Sequence, residues 1–256
     1  MLKIDLNCDL GESFGVYSLG MDEKILPFVT SANIACGFHA SDPLTMERTV
    51  KLAGDAGVAI GAHPGFPDLL GFGRRNMNVS PAEAKAYVQY QVGALAAFAK
   101  AAGGRLSHVK PHGALYNMAG KDMRLAEAIC EGVAEVDETL ILLALSGSAM
   151  IEAAAKKGLR AAKEVFADRA YMPDGSLVPR GMPGAVIADE SECAARVVRM
   201  IAEKKVRAID GTDIEIAADS VCLHGDGSHA LSFAKRLRES FAAAGIAVAP
   251  LAEIIS

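Results

Sequence analysis

The chain has 256 residues, of which 51% are hydrophobic and 22% charged, a composition typical of a folded globular protein. The net charge is −5 and no Lys/Arg-rich stripe occurs, so nucleic acid is not an expected partner. No run approaches the roughly 18 apolar residues of a membrane span, and the first residues lack the apolar region of a secretory signal. We therefore expect a cytoplasmic protein with no membrane association.

Seven short β-rich runs alternate with helical stretches along the chain. This alternation is typical of parallel βα units. No Gly/Ser linker or charge run divides the chain, so we expect one domain over residues 1–256. The run GIAVAPL near the end is a candidate eighth strand. The seven predicted strands cover residues 3–8, 31–36, 58–62, 107–111, 139–145, 162–167 and 219–224.

Two helices have starts that can be recognised in the sequence. Ser80 is predicted to be an N-cap, and Glu83 completes a capping box with it. Either Ser41 or Asp42 is predicted to cap an earlier helix. The segment 171–189 is rich in Gly and Pro and is predicted to be a long structured loop.

Residues that can act as acids, bases or ligands follow six of the seven predicted strands. In a β/α barrel the carboxyl ends of all strands meet at one mouth, whereas an open sheet gathers such residues only at its switch point. The turn after the first strand also lacks the glycine pattern of a nucleotide-binding open sheet. We therefore favour a parallel barrel of seven or eight strands with one pocket at its mouth. The residues are Asp9, Glu12, His39, His63, Lys110, His112, Glu164, Asp168, Arg169, His224 and Asp226.

The first strand places Asp5, Asn7 and Asp9 on one face, and the residues between them are apolar. A barrel turns the polar face inward, with Asp9 nearest the mouth and Asp5 deepest. Asp5 then needs a structural partner, because an unpaired buried carboxylate is costly. Asn7 is expected to position other groups, and Asp9, with Glu12 beside it, is the carboxylate that we expect to take part in chemistry.

A metal site is one further hypothesis. Asp9, His39 and His63 would offer a carboxylate and two imidazoles from adjacent strand ends, a ligand set that suits Zn²⁺ or another divalent ion. No HExxH spacing supports this set locally. Each histidine could equally be a core or surface residue without a ligand.

A second hypothesis is an anion-binding site. Arg74 and Arg75 follow a Gly-Phe-Gly turn and suit a carboxylate or phosphate. Ser146 precedes a predicted helix whose free N–H groups could hold an anion. The alternatives are a solvated arginine pair and an ordinary serine N-cap, and Asp226 could likewise be a helix cap.

Six motifs in order give the chain a resemblance to a known family. They are DLNCDLGESFG, NIACGFHASD, GAHPGFPDLLGFGRR, VKPHGALYN, EVFADRAYMPDGSLVPR and CLHGD. Together they resemble the LamB/YcsF family from Asp5 to Asp226. Ser41 departs from the family pattern, which often has Gly there, and Phe66 stands where Tyr is common. The resemblance implies a seven-stranded β/α barrel of the glycoside hydrolase/deacetylase type.

The resemblance also implies a function: ring opening of 5-oxo-L-proline to L-glutamate, coupled to ATP hydrolysis, with two further 5-oxoprolinase subunits, B and C. No Walker A sequence occurs, so either a non-P-loop surface of this chain or a partner subunit would bind ATP. Two alternatives are a metal-dependent carbohydrate deacetylase or amide hydrolase, and a non-catalytic ligand-binding subunit.

The resemblance implies different roles for the individual site residues. A base for water would come from Asp9 or Glu12 with His39 or His63, cations from Lys110 and Arg169, and donors or a leaving-group acid from His112 and His224. Substrate contacts would come from Asn7, Glu164, Asp168, Arg169 and Asp226, and nucleotide contacts from Arg74, Arg75 and Ser146.

Overall fold

Seven parallel strands close into a barrel in the computed structural model of the protein, which describes residues 1–223 and 230–255. Counted along the chain, the first six strands lie side by side in order, and the ninth closes the ring by pairing with both the sixth and the first. The prediction of a parallel β/α barrel is confirmed, with seven strands in the ring. The strands are β1 (Leu2–Leu10), β2 (Ser31–Ala35), β3 (Ala59–His63), β4 (His108–Val109), β5 (Ile141–Leu145), β6 (Ala161–Phe166), β7 (Lys205–Arg207), β8 (Asp213–Glu215), β9 (Ser220–Leu223) and β10 (Ile246–Val248).

Three strands lie outside the ring. The candidate eighth strand forms as β10, but it pairs only with Leu2–Ile4 at the start of β1. Strands β7 and β8 form a separate antiparallel hairpin. The loop predicted over residues 171–189 carries isolated bridges but no helix or strand.

Helices cover the outside of the ring, and their apolar faces pack against strands that are themselves buried. Both β2 and β5 are buried at every residue, as expected for parallel strands covered on both faces. The helices are α1 (Asp22–Ile25), α2 (Pro43–Asp55), α3 (Pro81–Ala101), α4 (Gly113–Ala119), α5 (Met123–Val136), α6 (Ala149–Lys157), α7 (Glu190–Ala202) and α8 (Ala230–Ala243), with 3₁₀ turns at Leu26–Phe28 and Leu251–Glu253.

The predicted helix caps are present. Asp42, rather than Ser41, is the N-cap of α2 and accepts hydrogen bonds from two backbone N–H groups. Ser80 and Glu83 form the capping box of α3. Ser41 adopts a φ of +75°, a backbone region that favours glycine. A glycine at this position would adopt the same conformation without strain.

The barrel interior is polar along β1. Asp5 is fully buried and accepts hydrogen bonds from the hydroxyls of Thr30 at 2.7 Å, Ser31 at 2.6 Å and Ser220. Burial raises the pKa of Asp5 to about 6. Asn7 donates to Ser220 Oγ at 2.7 Å. Asp5 therefore has the structural partners that its buried position requires.

All five cysteines are buried and free of disulfides. Within residues 1–223 and 230–255, no helix is both long and apolar enough to cross a membrane.

Candidate active site at the barrel mouth

The carboxyl ends of the strands open into a cavity of about 700 Å³. Asp9 and Glu12 reach it from the end of β1, His63 from the end of β3, and Lys110 and His112 from just after β4. Five side chains from three strand ends thus line one cavity, because parallel strands present their carboxyl ends on the same side.

Lys110 is buried in an ionic cluster at this mouth. Its Nζ lies 2.8 Å from Asp9 Oδ1 and 2.9 Å from Glu164 Oε1, and it donates to Asn7 Oδ1 at 3.3 Å and to Cys222 Sγ at 3.2 Å. Burial alone lowers the pKa of Lys110, but the charge of Asp9, followed by Cys222 and Glu164, outweighs burial and holds the pKa well above its usual value. Lys110 is therefore a fixed cation that orients two carboxylates.

Neighbouring polar groups hold both carboxylates in place. Asn33 donates from Nδ2 to Asp9 Oδ1 at 2.8 Å, and His108 Nε2 donates to the side-chain oxygen Asn33 Oδ1 at 2.8 Å. On the other side, the Tyr116 hydroxyl donates to Glu164 Oε2 at 2.6 Å. The orientation of Asp9 is thus determined by two donors, Lys110 and Asn33, before any substrate arrives.

Glu12, His39, His63 and His112 form a second group, whose ligating atoms all lie within 4.8 Å of one another. The rings of His39 and His112 are stacked, with centroids 3.6 Å apart and planes 2° from parallel. Glu12 Oε1 lies 3.2 Å from His39 Nε2 and 3.6 Å from His112 Nδ1. The three rings are buried, and one nitrogen of each lies within 4.8 Å of a Glu12 carboxylate oxygen.

The hydrogen bonds of two histidines test whether a metal fits this group. His63 Nδ1 must donate to the Lys110 carbonyl oxygen at 2.7 Å, and His112 Nε2 to the Phe72 carbonyl oxygen at 2.9 Å. The remaining nitrogens, His63 Nε2 and His112 Nδ1, face each other at 2.9 Å. In neutral rings both carry lone pairs, so the contact requires a shared proton or a cation.

The pKa values of His112 and His39 favour the cation. Burial, followed by the neighbouring histidine His39, lowers the pKa of His112 well below its usual value. Burial likewise lowers the pKa of His39, with His63 as the next cause. Neutral imidazoles with one N–H anchored to a carbonyl oxygen are the form that ligates metals. The residues present therefore fit a divalent metal.

This group differs in composition from the predicted metal set. It contains His39 and His63 but also Glu12 and His112. Asp9 is not in it: its Oδ2 lies 3.4 Å from His63 Nε2, while its Oδ1 pairs with Lys110. The sequence could not separate Asp9 from Glu12 because both follow the same strand.

The two predicted arginines occupy different places. Arg74 lines the cavity, with its guanidinium carbon 4.9 Å from the centre of the Phe72 ring. Arg75 does not line the cavity and donates from Nε to Asp68 Oδ1 at 2.8 Å. Of the pair, only Arg74 can reach a ligand in the cavity directly.

Of the predicted site residues that follow β5 and β6, some line the cavity and one does not. Ser146 and Arg169 line the cavity, but the Ser146 hydroxyl accepts a hydrogen bond from Ala217 N at 3.2 Å. Asp168 does not line the cavity, and its carbonyl oxygen accepts from Ile187 N at 2.8 Å. The predicted residues His224 and Asp226 lie outside the described residues.

Sequence reasoning missed two residues that orient the carboxylates. Asn33 lies directly opposite Asp9 in the pairing of β1 with β2, a relation that the sequence contains only once the register is known. Tyr116 follows His112 by four residues at the start of α4, and this spacing places both residues on the same side of the helix.

Comparison with known proteins identifies the family to which this chain belongs. The model of the LamB/YcsF family matches residues 4–256. The chain belongs to the LamB/YcsF family.

Curated relatives cover this LamB/YcsF chain from end to end. A Clostridium beijerinckii protein, named as the A subunit of 5-oxoprolinase, is 63% identical over 99% of this chain and 100% of its own length. A Geobacillus kaustophilus protein of the same name is 63% identical over 97% of this chain and 96% of its own.

Solved structures agree on the fold. The lactam utilization protein from Thermus thermophilus superposes with a TM-score of 0.91 and 49% identity, over 97% of this chain and 99% of its own. A family 4 carbohydrate esterase from Streptomyces lividans has a TM-score of 0.53 at 11% identity, over 99% and 96% of the two chains. The second match is too distant in sequence to show more than a shared barrel fold.

Proposed function

We propose that this chain is the A subunit of an ATP-dependent 5-oxoprolinase, acting as one domain over residues 1–256. The observation that carries the proposal is the 63% identity, over 99% of the chain, to a protein named as the A subunit of 5-oxoprolinase. The cavity at the barrel mouth supports it, because a preoriented carboxylate, a buried lysine and three histidines line or adjoin one space.

The chemistry requires help from several groups, because an amide is a poor electrophile. Water attacks the lactam carbonyl carbon, the C–N bond breaks, and the ring nitrogen takes up a proton to become the amino group of glutamate. Asp9 serves as the base for this water, since its carboxylate lines the cavity and is already oriented by Lys110 and Asn33. Asp9 then returns this proton to the leaving nitrogen, and Arg74 on the cavity wall donates to the developing oxyanion, because both nitrogens of His112 are already engaged.

ATP and the partner subunits B and C complete the proposal. Phosphorylation of the lactam oxygen by ATP, with release of ADP, makes the carbonyl carbon reactive. The balanced reaction consumes two waters, one for the ring and one for the phosphoryl group. Arg74, on the cavity wall, is one arginine of this chain placed to contact a phosphoryl group. Subunits B and C supply the remaining nucleotide contacts.

A mixture of purified A, B and C tests the activity. With 5-oxo-L-proline and ATP it should release glutamate and phosphate in equal amounts, and neither product should form without ATP. Asp9→Asn should lower kcat by about 100-fold or more, the usual contribution of a general base. The matched control is Asp55→Asn, an exposed carboxylate paired with Lys51 on α2, which should leave kcat unchanged.

Absence of glutamate from the complete wild-type mixture would refute the proposal. Full turnover by the complex carrying Asp9→Asn, His63→Ala or Lys110→Ala would instead show that this chain is a non-catalytic ligand-binding subunit.

We also propose that Glu12, His39, His63 and His112 hold a divalent metal, because the facing nitrogens of His63 and His112 need a proton or a cation between them and the lowered pKa of His112 favours the cation. When bound, the metal supplies Lewis-acid polarisation of a carbonyl oxygen or water. This group favours a second candidate function, a metal-dependent amide hydrolase.

Two measurements separate these functions. Elemental analysis of the purified chain should find about one metal per chain in the wild type and much less in Glu12→Gln. The control Glu131→Gln alters an exposed carboxylate on α5 and should keep the metal. Amide hydrolysis without ATP, abolished by a chelator, would support the second function. Metal-free wild-type chain that cannot be loaded with Zn²⁺ would refute the metal site.

A further inference from the structure

Ser148, at the start of α6, has a buried hydroxyl without a hydrogen-bond partner. The residue is 8% exposed, and its Oγ has no partner in the described part of the chain. Ser148 is the N-cap of α6, yet its side chain does not accept from the helix N–H groups as capping serines usually do. A buried hydroxyl left in this state costs roughly 1–3 kcal/mol, so its retention points to a ligand.

The surroundings of Ser148 belong to the cavity. Gly147 and Ser148 both line it, as does Arg169 from the next strand of the barrel. Strands β5 and β6 are paired, with Leu145 opposite Glu164. Ser148 is the third residue after β5 and Arg169 the third after β6, so both follow adjacent strand ends at the mouth.

Arg169 brings a buried positive charge to this wall. The residue is 6% exposed, and its guanidinium donates to the carbonyl oxygens of Val178 at 2.6 Å and Ala185 at 3.3 Å. Burial, followed by repulsion from nearby Arg180, lowers the pKa of Arg169 to about 10, so it stays charged at neutral pH. The nearby charge of Asp168 raises the pKa of Arg169 and offsets this lowering only in part. A buried cation whose hydrogen bonds within the described residues go to neutral carbonyl oxygens favours an incoming anion.

We propose that the Ser148 hydroxyl, the amino end of α6 and Arg169 form a subsite for an oxyanion. The helix dipole of α6, nine residues long, adds to the attraction. This inference rests on the proposed function for its two candidate ligands, the carboxylate of the lactam and the phosphoryl group transferred from ATP. In either case the subsite lies at the β5–β6 side of the mouth, while Asp9 approaches from β1.

The test is Ser148→Ala in the full-length chain, with Thr49→Val as the matched control. Thr49 also carries a buried hydroxyl without a partner in the described residues, but it lies on α2 and does not line the cavity. Both substitutions remove an unpaired hydroxyl, so neither variant should unfold more readily than the wild type. Binding of 5-oxo-L-proline, inorganic phosphate and 2-pyrrolidinone is measured by calorimetry on the purified chain. 2-Pyrrolidinone is the same lactam without the carboxylate.

Ser148→Ala should weaken binding of one oxyanion about tenfold or more, the usual effect of losing one hydrogen bond to a charged group. A loss for 5-oxo-L-proline but not 2-pyrrolidinone identifies the carboxylate as ligand, and a loss for inorganic phosphate identifies the phosphoryl group. Thr49→Val should change neither affinity. The subsite is wrong if both oxyanions bind Ser148→Ala within twofold of wild type, if 2-pyrrolidinone is weakened equally, or if the wild type binds neither oxyanion.

Turnover by the assembled A, B and C subunits separates this inference from the proposed function. If Ser148→Ala releases glutamate normally and binds both oxyanions with unchanged affinity, the subsite is refuted and the proposed function is not. If Ser148→Ala selectively loses oxyanion binding but the wild-type complex produces no glutamate, the subsite is supported and the proposed function is refuted.

Discussion

Replacing Lys110 by Met should destabilise the fold strongly, because it leaves two carboxylates buried without their cation. The side chains of Lys110, Glu164 and Asp9 are 3%, 0% and 15% exposed, and the nitrogen lies 2.9 Å and 2.8 Å from the two carboxylate oxygens. At an effective dielectric constant of about 20, one such contact attracts by roughly 6 kcal/mol. Desolvation offsets much of that attraction, so removing one partner of a buried pair costs about 3–5 kcal/mol.

Urea unfolding at pH 7.5 measures this cost, with Lys85→Met as control. Lys85 also contacts two carboxylates, Glu131 and Glu135, but on the surface, so its loss should cost less than about 1 kcal/mol. The added variant Lys110→Met/Glu164→Gln should recover part of the stability, because it neutralises one of the carboxylates left without a cation. A loss below about 1 kcal/mol for Lys110→Met, equal to that of Lys85→Met, would refute the buried ionic cluster.

Three further predictions follow from other buried groups. The pKa of Asp5 rises to about 6 on folding from an ordinary 3.8, so the native state binds the proton more tightly. Its contribution to stability should fall by roughly 2 kcal/mol between pH 4 and pH 7. Urea unfolding across that range should show a flatter profile for Asp5→Asn, and an identical profile would contradict the buried carboxylate. Gly61→Ala places a Cβ against the His108 ring and should lower the free energy of unfolding by about 1–3 kcal/mol. Gly54→Ala, in α2, meets no atom and should raise it by about 0.5–1 kcal/mol. Thermal unfolding measures both, and equal effects would contradict the close contact at Gly61. Zn²⁺ affinity, measured by competition with a chelator, should fall as pH drops from 7.5 to 5.5, because protons compete for the histidine nitrogens; affinity independent of pH would argue against histidine ligands.

Much of the architecture could be predicted from local signals. Asp42 and Ser80 cap their helices as expected, because capping depends on residues only two or three positions apart. Residues that follow successive strands converge at the mouth, because parallel strands end on one side. The candidate eighth strand forms but stays outside the ring, since it reaches only the first residues of β1.

The partners within the site could not be predicted in the same way. The sequence contains Asp9 and Glu12 three residues apart, and only the folded chain sends Asp9 to Lys110 and Glu12 to the histidines. Ser148 lacks a partner among the described residues, while Ser146, two residues earlier, is bonded to Ala217.

By itself, then, the sequence determined the barrel, the order of its strands and helices, and the end of the barrel at which the reactive residues gather, because periodicity, capping and strand direction are local properties of the chain. The tertiary structure alone decided which carboxylate faces Lys110, which histidine nitrogens face each other and which hydroxyl is left unpaired among the described residues. Those outcomes depend on the lateral register of strands and on packing between residues far apart in sequence, and no spacing along the chain encodes them directly.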